Sequence, residues 1–295
     1  MSGDPAAVLL HLGPGLGNGL ANLHNARRAR TPVVNLIGEH VDYNDGYVLP
    51  AAIDKVICFA FEKTNSKNSK IIAIDLDESF EINVEEPLAL HDAIWTNYFR
   101  GVLQQLKNNG LAIEGFNCVF SSNIPVGSGL SSSAALECGF LFGINELFEL
   151  KIKPVDIALM GQSAEHWVGI NCGIMDQFAS ANGIEGSALI LDCRSLEVRP
   201  ASMPDEAVFL LINSMAPHVL ADGEYRARRA DCEAAAVTLR VESLRDVVDL
   251  DQALSRLAGG PALRCRHVVS ENARVGEAAG GRPLLLPPMT KENLP

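Results

Sequence analysis

The order in which apolar runs follow one another along the chain is the feature that most constrains its fold. Strand-like runs come first, and residues 79–85 alternate apolar and polar side chains with the two-residue period of a half-buried strand. Longer segments with helical patterns then alternate with further strands. Strands first and helices afterwards predict an α+β fold rather than a strictly alternating parallel α/β fold. The predicted strands are residues 32–38, 55–63, 70–76, 79–85, 115–125, 187–193 and 207–213, and the predicted helices are residues 94–110, 130–150, 154–169 and 223–239.

Composition excludes several classes of function. A length of 295 residues, with 47% hydrophobic and 20% charged side chains, is typical of a globular protein and predicts two domains. The net charge of −12 argues against general nucleic-acid binding, which needs a basic surface. We expect no membrane span and no secretory signal, because apolar runs are short and the N-terminus lacks a basic region. Seven scattered cysteines without a CxxC pair indicate reduced thiols and a cytoplasmic location.

A dense group of charged side chains interrupts the apolar sequence of residues 35–54. Glu39, His40, Asp42 and Asp45 lie within seven residues, and both flanks have the pattern of buried strands. Two interpretations are open at this point. Either a turn between strands is polar, or these side chains point at a ligand that offers many hydrogen bonds.

A glycine- and serine-rich loop, IPVGSGLSSSAALE, joins a predicted strand to a long predicted helix at residues 124–137. The first N–H groups of a helix have no partner within the helix, and together with the helix dipole they attract anions. Gly127 and Gly129 would let a phosphate approach the backbone, and serine hydroxyls can ligate Mg²⁺. No GK[ST] follows, so this is not a Walker loop. A glycine turn whose serines cap the helix is the alternative.

Two further segments carry candidate functional groups. CGIMDQF, residues 172–178, places Asp176 among apolar residues, where a carboxylate is costly to bury without a partner. Glu165 lies a short loop upstream on the preceding predicted helix. Residues 212–229 read as a strand end, a polar loop and a helix that carries Tyr225. Taken singly, these segments can also be a partly exposed loop and a solvated cationic helix face.

Taken together and in this order, the four segments resemble those of galactokinases, which belong to the superfamily of galacto-, homoserine, mevalonate and phosphomevalonate kinases. The resemblance extends over residues 34–275 and implies a two-domain sugar-kinase fold, with a ribosomal-protein-like N-terminal domain and a truncated ferredoxin-like C-terminal domain. It implies a divergent N-terminal segment at 1–31, a kinase domain at 32–200 and an incomplete C-terminal domain at 201–295. The segments are GEHVDYNDGYVLPAAID, IPVGSGLSSSAALE, CGIMDQF and NSMAPHVLADGEYRARR.

The resemblance also implies an activity, the phosphorylation of the anomeric hydroxyl of galactose by ATP with Mg²⁺, in a monomer. Carboxylates suit such a substrate, because they read sugar hydroxyls directionally through charge-assisted hydrogen bonds. Asp176 matches the catalytic aspartate. The other matched positions are Glu39, His40, Asp42, Asp176 and Tyr225 for the sugar, Gly127, Ser128, Gly129, Leu130, Ser131, Ser132 and Ser133 for the ATP phosphates, and Ser133 and Glu165 for Mg²⁺.

The sequence departs from the family pattern in three places. Where the family has Pro-Gly-Arg, this chain has Thr31, Pro32 and Val33, so Val33 replaces the arginine that partners the catalytic aspartate. Arg30 is a poor substitute, because in an extended strand it points to the other face. The C-terminal glycine-rich motif is absent, which predicts exposed apolar surface and sheet edges. The link between Glu165 and Asp176 is also about one residue shorter than usual.

These departures leave alternative functions open. One is a kinase for a relative of galactose, such as N-acetylgalactosamine, galacturonate or arabinose, because a few side chains decide which ring substituents fit. Another is a non-catalytic sensor that binds galactose and ATP, since some galactokinase-like proteins are regulators and Val33 fits that role. A truncated product without function is the third.

Overall fold

The computed structural model describes residues 33–125, 129–204 and 224–279. Strands dominate the first part of this chain, and helices follow, as the sequence predicts. In chain order the elements are β1 (Val33–Ile37), β2 (Tyr47–Ala52), β3 (Ile57–Lys63), β4 (Asn68–Ala73), β5 (Glu78–Asn83), α1 (Ile94–Asn108), β6 (Phe116–Ser122), α2 (Ser132–Phe148), α3 (Pro154–Val168), α4 (Met175–Asn182), β7 (Ser187–Asp192), β8 (Val198–Ser202), α5 (Glu224–Leu239), α6 (Leu250–Leu254) and α7 (Gly259–Ala279).

The strands form two four-stranded sheets. The first sheet has the order β1-β2-β7-β8, with every neighbouring pair antiparallel. The second has the order β3-β6-β4-β5 and is mixed, because β4 and β6 run parallel while the other pairs are antiparallel. This arrangement confirms the predicted α+β class.

The second sheet packs against α1, α2 and α3 around a core rich in phenylalanine. Phe99, Phe116 and Phe140 are almost fully buried, and the rings of Phe99 and Phe140 meet edge to face with centroids 4.8 Å apart. Edge-to-face pairs of this kind stabilise a core beyond the area they bury. The core therefore fixes the position of α2, whose N-terminus follows the predicted phosphate loop.

The first sheet has an apolar core on each face. On one face Val33 and Val48 pack with Phe178 of α4 and with residues of α5 and α7. On the other face Ile37 packs with Val275, near the end of α7. A register irregularity between Asn35 and Ile37 accompanies the change of face along β1, as expected for a bulge.

The predicted elements and the observed ones agree in most places. Every predicted helix and all but one of the predicted strands have a counterpart; the strand predicted at 207–213 lies outside the described residues, as do residues 1–31. The sequence analysis missed β8, α4, α6 and α7. Because α4 begins at Met175, Asp176 lies in the first turn of a helix and not in the loop that was the alternative interpretation.

No helix in the described ranges is long and apolar enough to cross a bilayer.

Candidate active site

The charged segment between β1 and β2 is a tightly turned loop. Gly38 (φ 99°), His40 (φ 57°) and Asp45 (φ 56°) all have positive φ angles, and a short 3₁₀ turn spans Asp42–Asn44. A side chain at Gly38 has no room, because an added Cβ would lie 2.7 Å from the carbonyl oxygen of Tyr47. We call residues 38–46 the signature loop. Its backbone can follow this path only with glycine at its first position.

The signature loop reaches the N-terminus of α4 through the side chain of Asp42. The backbone N–H groups of Tyr43 and Met175 donate hydrogen bonds to the Asp42 carboxyl group. Gly173 makes this approach feasible, since a Cβ at that position would overlap the carboxyl group. A carboxylate at a helix N-terminus is favourable, because the free N–H groups and the helix dipole attract negative charge. The first and third predicted segments are therefore in contact.

Asp176 lies beside Asp42 and accepts a hydrogen bond from the hydroxyl of Ser131. Burial raises the pKa of Asp176 to about 7, with further increases from Asp42, Glu165 and Glu39. Burial likewise raises the pKa of Asp42 to about 6. Burial and a neighbouring negative charge both disfavour the ionised form of a carboxyl group. Each of these groups therefore stays protonated to a higher pH. A carboxyl group that titrates near neutrality is suited to proton transfer.

Ser133 and Glu165, the predicted Mg²⁺ ligands, are in direct contact. The Ser133 hydroxyl donates to Glu165 Oε1 at 2.8 Å, from the first turn of α2 to the last turn of α3. The other oxygen, Oε2, accepts from Gln177 Nε2 at 2.5 Å and from the thiol of Cys172 at 3.3 Å. Glu165 is 4% exposed, and burial raises its pKa while these donors oppose the increase. Its carboxyl group therefore has a fixed orientation.

The sequence analysis missed two polar residues in this cluster. Gln177 follows Asp176 on α4, and its amide nitrogen lies between Glu165 and Glu137, 3.5 Å from Glu137 Oε2. Glu137, on α2, is 1% exposed, and burial together with the Glu165 charge raises its pKa well above the usual range. Such surroundings favour the protonated form of a carboxyl group. A glutamate within the apolar sequence of α2 was the available signal.

The serines before α2 do not act as side-chain caps of that helix. Ser131 is the N-cap residue in a left-handed conformation, and its side chain makes no capping hydrogen bond. It bonds to Asp176 instead, while Ser133 bonds to Glu165. The capping alternative for this loop is therefore wrong for these two serines. Gly129 (φ 72°), Leu130 and Ser132 are also described, whereas Gly127 and Ser128 lie outside the described residues.

Helix α5 contributes an aromatic and a cationic side chain to the same region. The ring of Tyr225 lies 5.4 Å from the ring of His40 and 5.2 Å from that of Tyr43. Arg228 Nη1 lies 3.3 Å from His40 Nε2, and the other ring nitrogen lies 3.2 Å from the Tyr43 hydroxyl. Since arginine only donates, Nε2 accepts and Nδ1 carries the proton. His40, Asp42, Asp176 and Tyr225 are the four predicted sugar-binding residues that lie where the signature loop meets α4 and α5. The fifth, Glu39, is exposed.

Val33, at the position where the resemblance implies an arginine, is buried in the core between the first sheet and α4. It is 2% exposed and belongs to the same apolar cluster as Ile174 and Met175, the two residues before Asp176. The strongest described influences on the pKa of Asp176 are burial, neighbouring carboxyl groups and the Ser131 hydroxyl, and none of these is a cation.

The raised pKa values predict an unusual dependence of stability on pH. The unfolded chain binds the Asp176 proton with the ordinary pKa of 3.8, and the folded chain with a pKa of about 7. The stabilisation is therefore complete below pH 4 and is lost as the pH rises through 7. Asp176→Asn removes this loss, so we expect its Tm at pH 8 to exceed that of the wild type by roughly 3 °C or more.

Differential scanning calorimetry between pH 5 and 8 tests this expectation. Asp54→Asn is the matched control, because Asp54 is exposed. Equal Tm differences at pH 5 and pH 8 for Asp176→Asn would contradict the assigned titration.

Two family models match parts of this chain. Residues 97–183 match the GHMP kinases N terminal domain, and this match includes α2, α3 and α4. Residues 32–63 match the galactokinase galactose-binding signature, which includes the signature loop. The chain is therefore a kinase of the GHMP class, a class of small-molecule kinases that use ATP.

Solved structures narrow the class further. The galactokinase of Lactococcus lactis, solved in complex with galactose, superposes with a TM-score of 0.76 at 30% sequence identity, over 85% of this chain and 68% of that protein. The mevalonate kinase of Methanococcus jannaschii shares the fold at 22% identity, with a TM-score of 0.50 over 58% of this chain and 54% of that one. The chain belongs to the galactokinase family.

Proposed function

We propose that this protein transfers the γ-phosphoryl group of ATP to the anomeric hydroxyl of galactose and so forms galactose 1-phosphate. The observation that carries the proposal is the contact between the signature loop and α4. Asp42 accepts a hydrogen bond from the first residue of α4, and Asp176 follows immediately beside it. Sugar-binding groups and a carboxyl group that titrates near neutrality therefore lie on adjoining elements.

The sugar side of the site consists of Glu39, His40, Asp42, Asp176 and Tyr225. These residues offer carboxyl oxygens, a ring nitrogen and a phenol to the hydroxyls of a pyranose, which are both donors and acceptors. The similarity to a galactokinase that was solved with galactose supports galactose as the substrate.

The nucleotide side consists of the loop before α2. Backbone N–H groups at the start of α2, with the hydroxyls of Ser131, Ser132 and Ser133, suit the phosphates of ATP. Gly127, Ser128, Gly129 and Leu130 complete the proposed loop. The glycines would allow the phosphates to approach the backbone closely.

The residues present also fit Mg²⁺. This ion usually binds one or two protein carboxylates together with substrate phosphates, not a cage made of protein ligands alone. The described residues contain no cluster of three or more histidine, cysteine or acidic side chains suited to a metal, but Ser133 and Glu165 offer a hydroxyl and a carboxylate 2.8 Å apart. When bound, Mg²⁺ would neutralise charge on the transferring phosphoryl group.

Asp176 is the proposed catalytic residue. Its carboxylate would accept or orient the proton of the anomeric hydroxyl as that oxygen attacks the γ-phosphorus. Phosphoryl transfer depends mainly on positioning and on neutralising charge, so one oriented carboxylate with N–H donors and Mg²⁺ is a sufficient set of groups.

A product assay tests the proposed function. The purified chain is incubated with MgATP and galactose, and galactose 1-phosphate is measured by ³¹P NMR. Parallel reactions contain N-acetylgalactosamine, galacturonate or arabinose. We expect the highest kcat/KM with galactose, and a higher value for another sugar would replace galactose as the substrate.

Val33 favours one second candidate, a sensor that binds galactose and ATP without turnover. The missing cation weakens catalysis more than binding, because it would act on charge that develops during transfer. Calorimetric binding of galactose by a folded sample that forms no product would favour the sensor.

The proposed metal ligand gives a further prediction. Glu165→Gln keeps the shape of the side chain and removes its charge, so we expect the Mg²⁺ concentration for half-maximal rate to rise at least about tenfold. The control is Ser163→Ala, two residues away on α3, where the exposed hydroxyl bonds to the carbonyl oxygen of Leu159 in the same helix. An unchanged Mg²⁺ requirement in Glu165→Gln would remove this residue from the metal site.

The domain assignment follows the same proposal. Residues 32–200 are assigned to the N-terminal kinase domain, and residues 201–295 are assigned to the C-terminal domain. A cytoplasmic monomer belongs to the same proposal, and the net charge of −12 argues against nucleic acid as a partner.

A further inference from the structure

Helix α7 makes hydrogen bonds to both ends of the signature loop. The N–H of Gly38 donates to Glu271 Oε1 at 3.0 Å, and the N–H of Tyr47 donates to Asn272 Oδ1 at 2.8 Å. His267 Nε2, one turn earlier on the helix, donates to the carbonyl oxygen of Glu39 at 2.7 Å. Three side chains of α7 therefore bond directly to the backbone of the loop and of Tyr47, the residue that follows it. Each lies more than 200 residues from its partner in the sequence.

These bonds lie where the pairing between β1 and β2 ends. The last residues paired between these two strands are Ile37 and Leu49, and Tyr47 pairs with Asp192 of β7 on the other edge of β2. Buried backbone N–H groups need a partner, and α7 supplies it through side chains. The helix thus supplies acceptors for backbone N–H groups at the start of the loop and just after its end, where β1 and β2 no longer pair with each other.

The fit between α7 and the loop is close. Glu271 is 5% exposed, and its second carboxyl oxygen accepts from Arg274 at 2.5 Å, so the side chain has a fixed position. Asn272 Oδ1 lies close enough to the loop that a Cβ at Gly46 would come within 2.7 Å of it. Glu271 and Asn272 therefore contact the loop at Gly38 and Gly46, where glycine leaves room for a close approach.

We propose that Glu271, Asn272 and His267 are positioning residues for sugar recognition. They hold the two ends of the signature loop so that Glu39, His40 and Asp42 point into the site before the sugar arrives. The role as positioning residues for a sugar rests on the proposed function. Preorganised groups bind without a further ordering cost, so loosening the loop lowers the affinity for the ligand that the loop contacts.

Other residues of α7 provide its packing. Cys265 and Val268 are buried in the core beneath the first sheet, and Val275 is buried in the core on the opposite face. Different residues of α7 thus make the hydrogen bonds to the loop and the apolar contacts that hold the helix in place. Substitution of Asn272 should disturb the loop more than the fold.

The test compares Asn272→Ala with Asn272→Asp. Aspartate keeps an oxygen acceptor for the Tyr47 N–H, whereas alanine removes it. We expect Asn272→Ala to raise the KM for galactose about tenfold or more while the KM for ATP stays within about twofold, and Asn272→Asp to restore most of the loss. Ser270→Ala is the control, because Ser270 is exposed and bonds only to its own helix in the described structure.

Hydrogen–deuterium exchange of the ligand-free protein gives a readout that needs no activity. Residues 38–47 should exchange faster in Asn272→Ala and in Glu271→Ala than in the wild type or in Ser270→Ala. Exchange unchanged in both variants would overturn the proposal, as would a parallel rise in the KM for galactose and ATP with a lower Tm. If the wild type forms no galactose 1-phosphate, the proposed function fails, and the exchange measurement alone decides whether α7 positions the loop.

Discussion

Asp176→Asn is expected to lower kcat for galactose phosphorylation by about 10³-fold, because a positioned general base contributes on the order of 10²–10⁴-fold to rate. Asparagine keeps the size of the side chain and can still accept a hydrogen bond from the Ser131 hydroxyl. It cannot accept a proton from the anomeric hydroxyl. Galactose binding should therefore survive, and the loss should fall on kcat.

The measurement is a pair of experiments on the same samples, initial rates of product formation and calorimetric titration with galactose. Asp54→Asn again serves as the control, since this exposed aspartate lies outside the proposed site. A folded Asp176→Asn variant with kcat within about tenfold of the wild type would remove Asp176 from the role of general base.

Val33→Arg is expected to raise kcat by about 10²-fold. Removing one preorganised donor from a catalytic site lowers kcat by about this factor, and the substitution would add such a donor. In the family pattern that this chain resembles, the guanidinium partners the catalytic aspartate, and burial raises the pKa of Asp176 to about 7. A nearby cation favours the charged form, so it should lower the pKa of Asp176. The pH at which kcat/KM reaches half its maximum should then fall below 7.

A matched variant separates charge from size. Val33 is 2% exposed, and Val33→Met enlarges the side chain at this buried position without adding charge. Burying a guanidinium is costly unless a carboxylate pairs with it, so the Tm of both variants must be measured beside the rates. If folded Val33→Arg is no faster than Val33→Met and its pH profile is unchanged, the absence of an arginine at residue 33 does not limit the rate of phosphoryl transfer.

Local patterns were enough to predict most of the strands and helices. β5 alternates with the two-residue period, and α1 has a helical pattern followed by Gly110, so each carries its own signal. Helix α4 was missed because it has only eight residues between Gly173 and Gly183, which is too short for a clear period.

The site was only partly predictable, because its contacts join segments that are distant in sequence. The resemblance to a family named Asp42, Asp176 and Glu165, but no pattern in the chain shows that Asp42 accepts from the N-terminus of α4. Gln177 and Glu137 look like ordinary polar residues of helices until the fold brings them against Glu165. Long-range packing decides these contacts.

Helix α7 illustrates the same limit. Its apolar residues are divided between two cores, so no single apolar stripe marks the helix in the sequence. The proposed role of Glu271 and Asn272 is visible only in the structure, where their side chains accept hydrogen bonds from Gly38 and Tyr47.

The central claim is that the signature loop, α4 and the N-terminus of α2 form one site for galactose and ATP. A crystal structure of the protein with galactose and a non-hydrolysable ATP analogue tests it most directly. We predict the anomeric hydroxyl within hydrogen-bonding distance of Asp176, other sugar hydroxyls at Glu39 and Asp42, and the triphosphate at the start of α2. A sugar bound away from Asp42 and Asp176, or a triphosphate away from α2, would contradict the account.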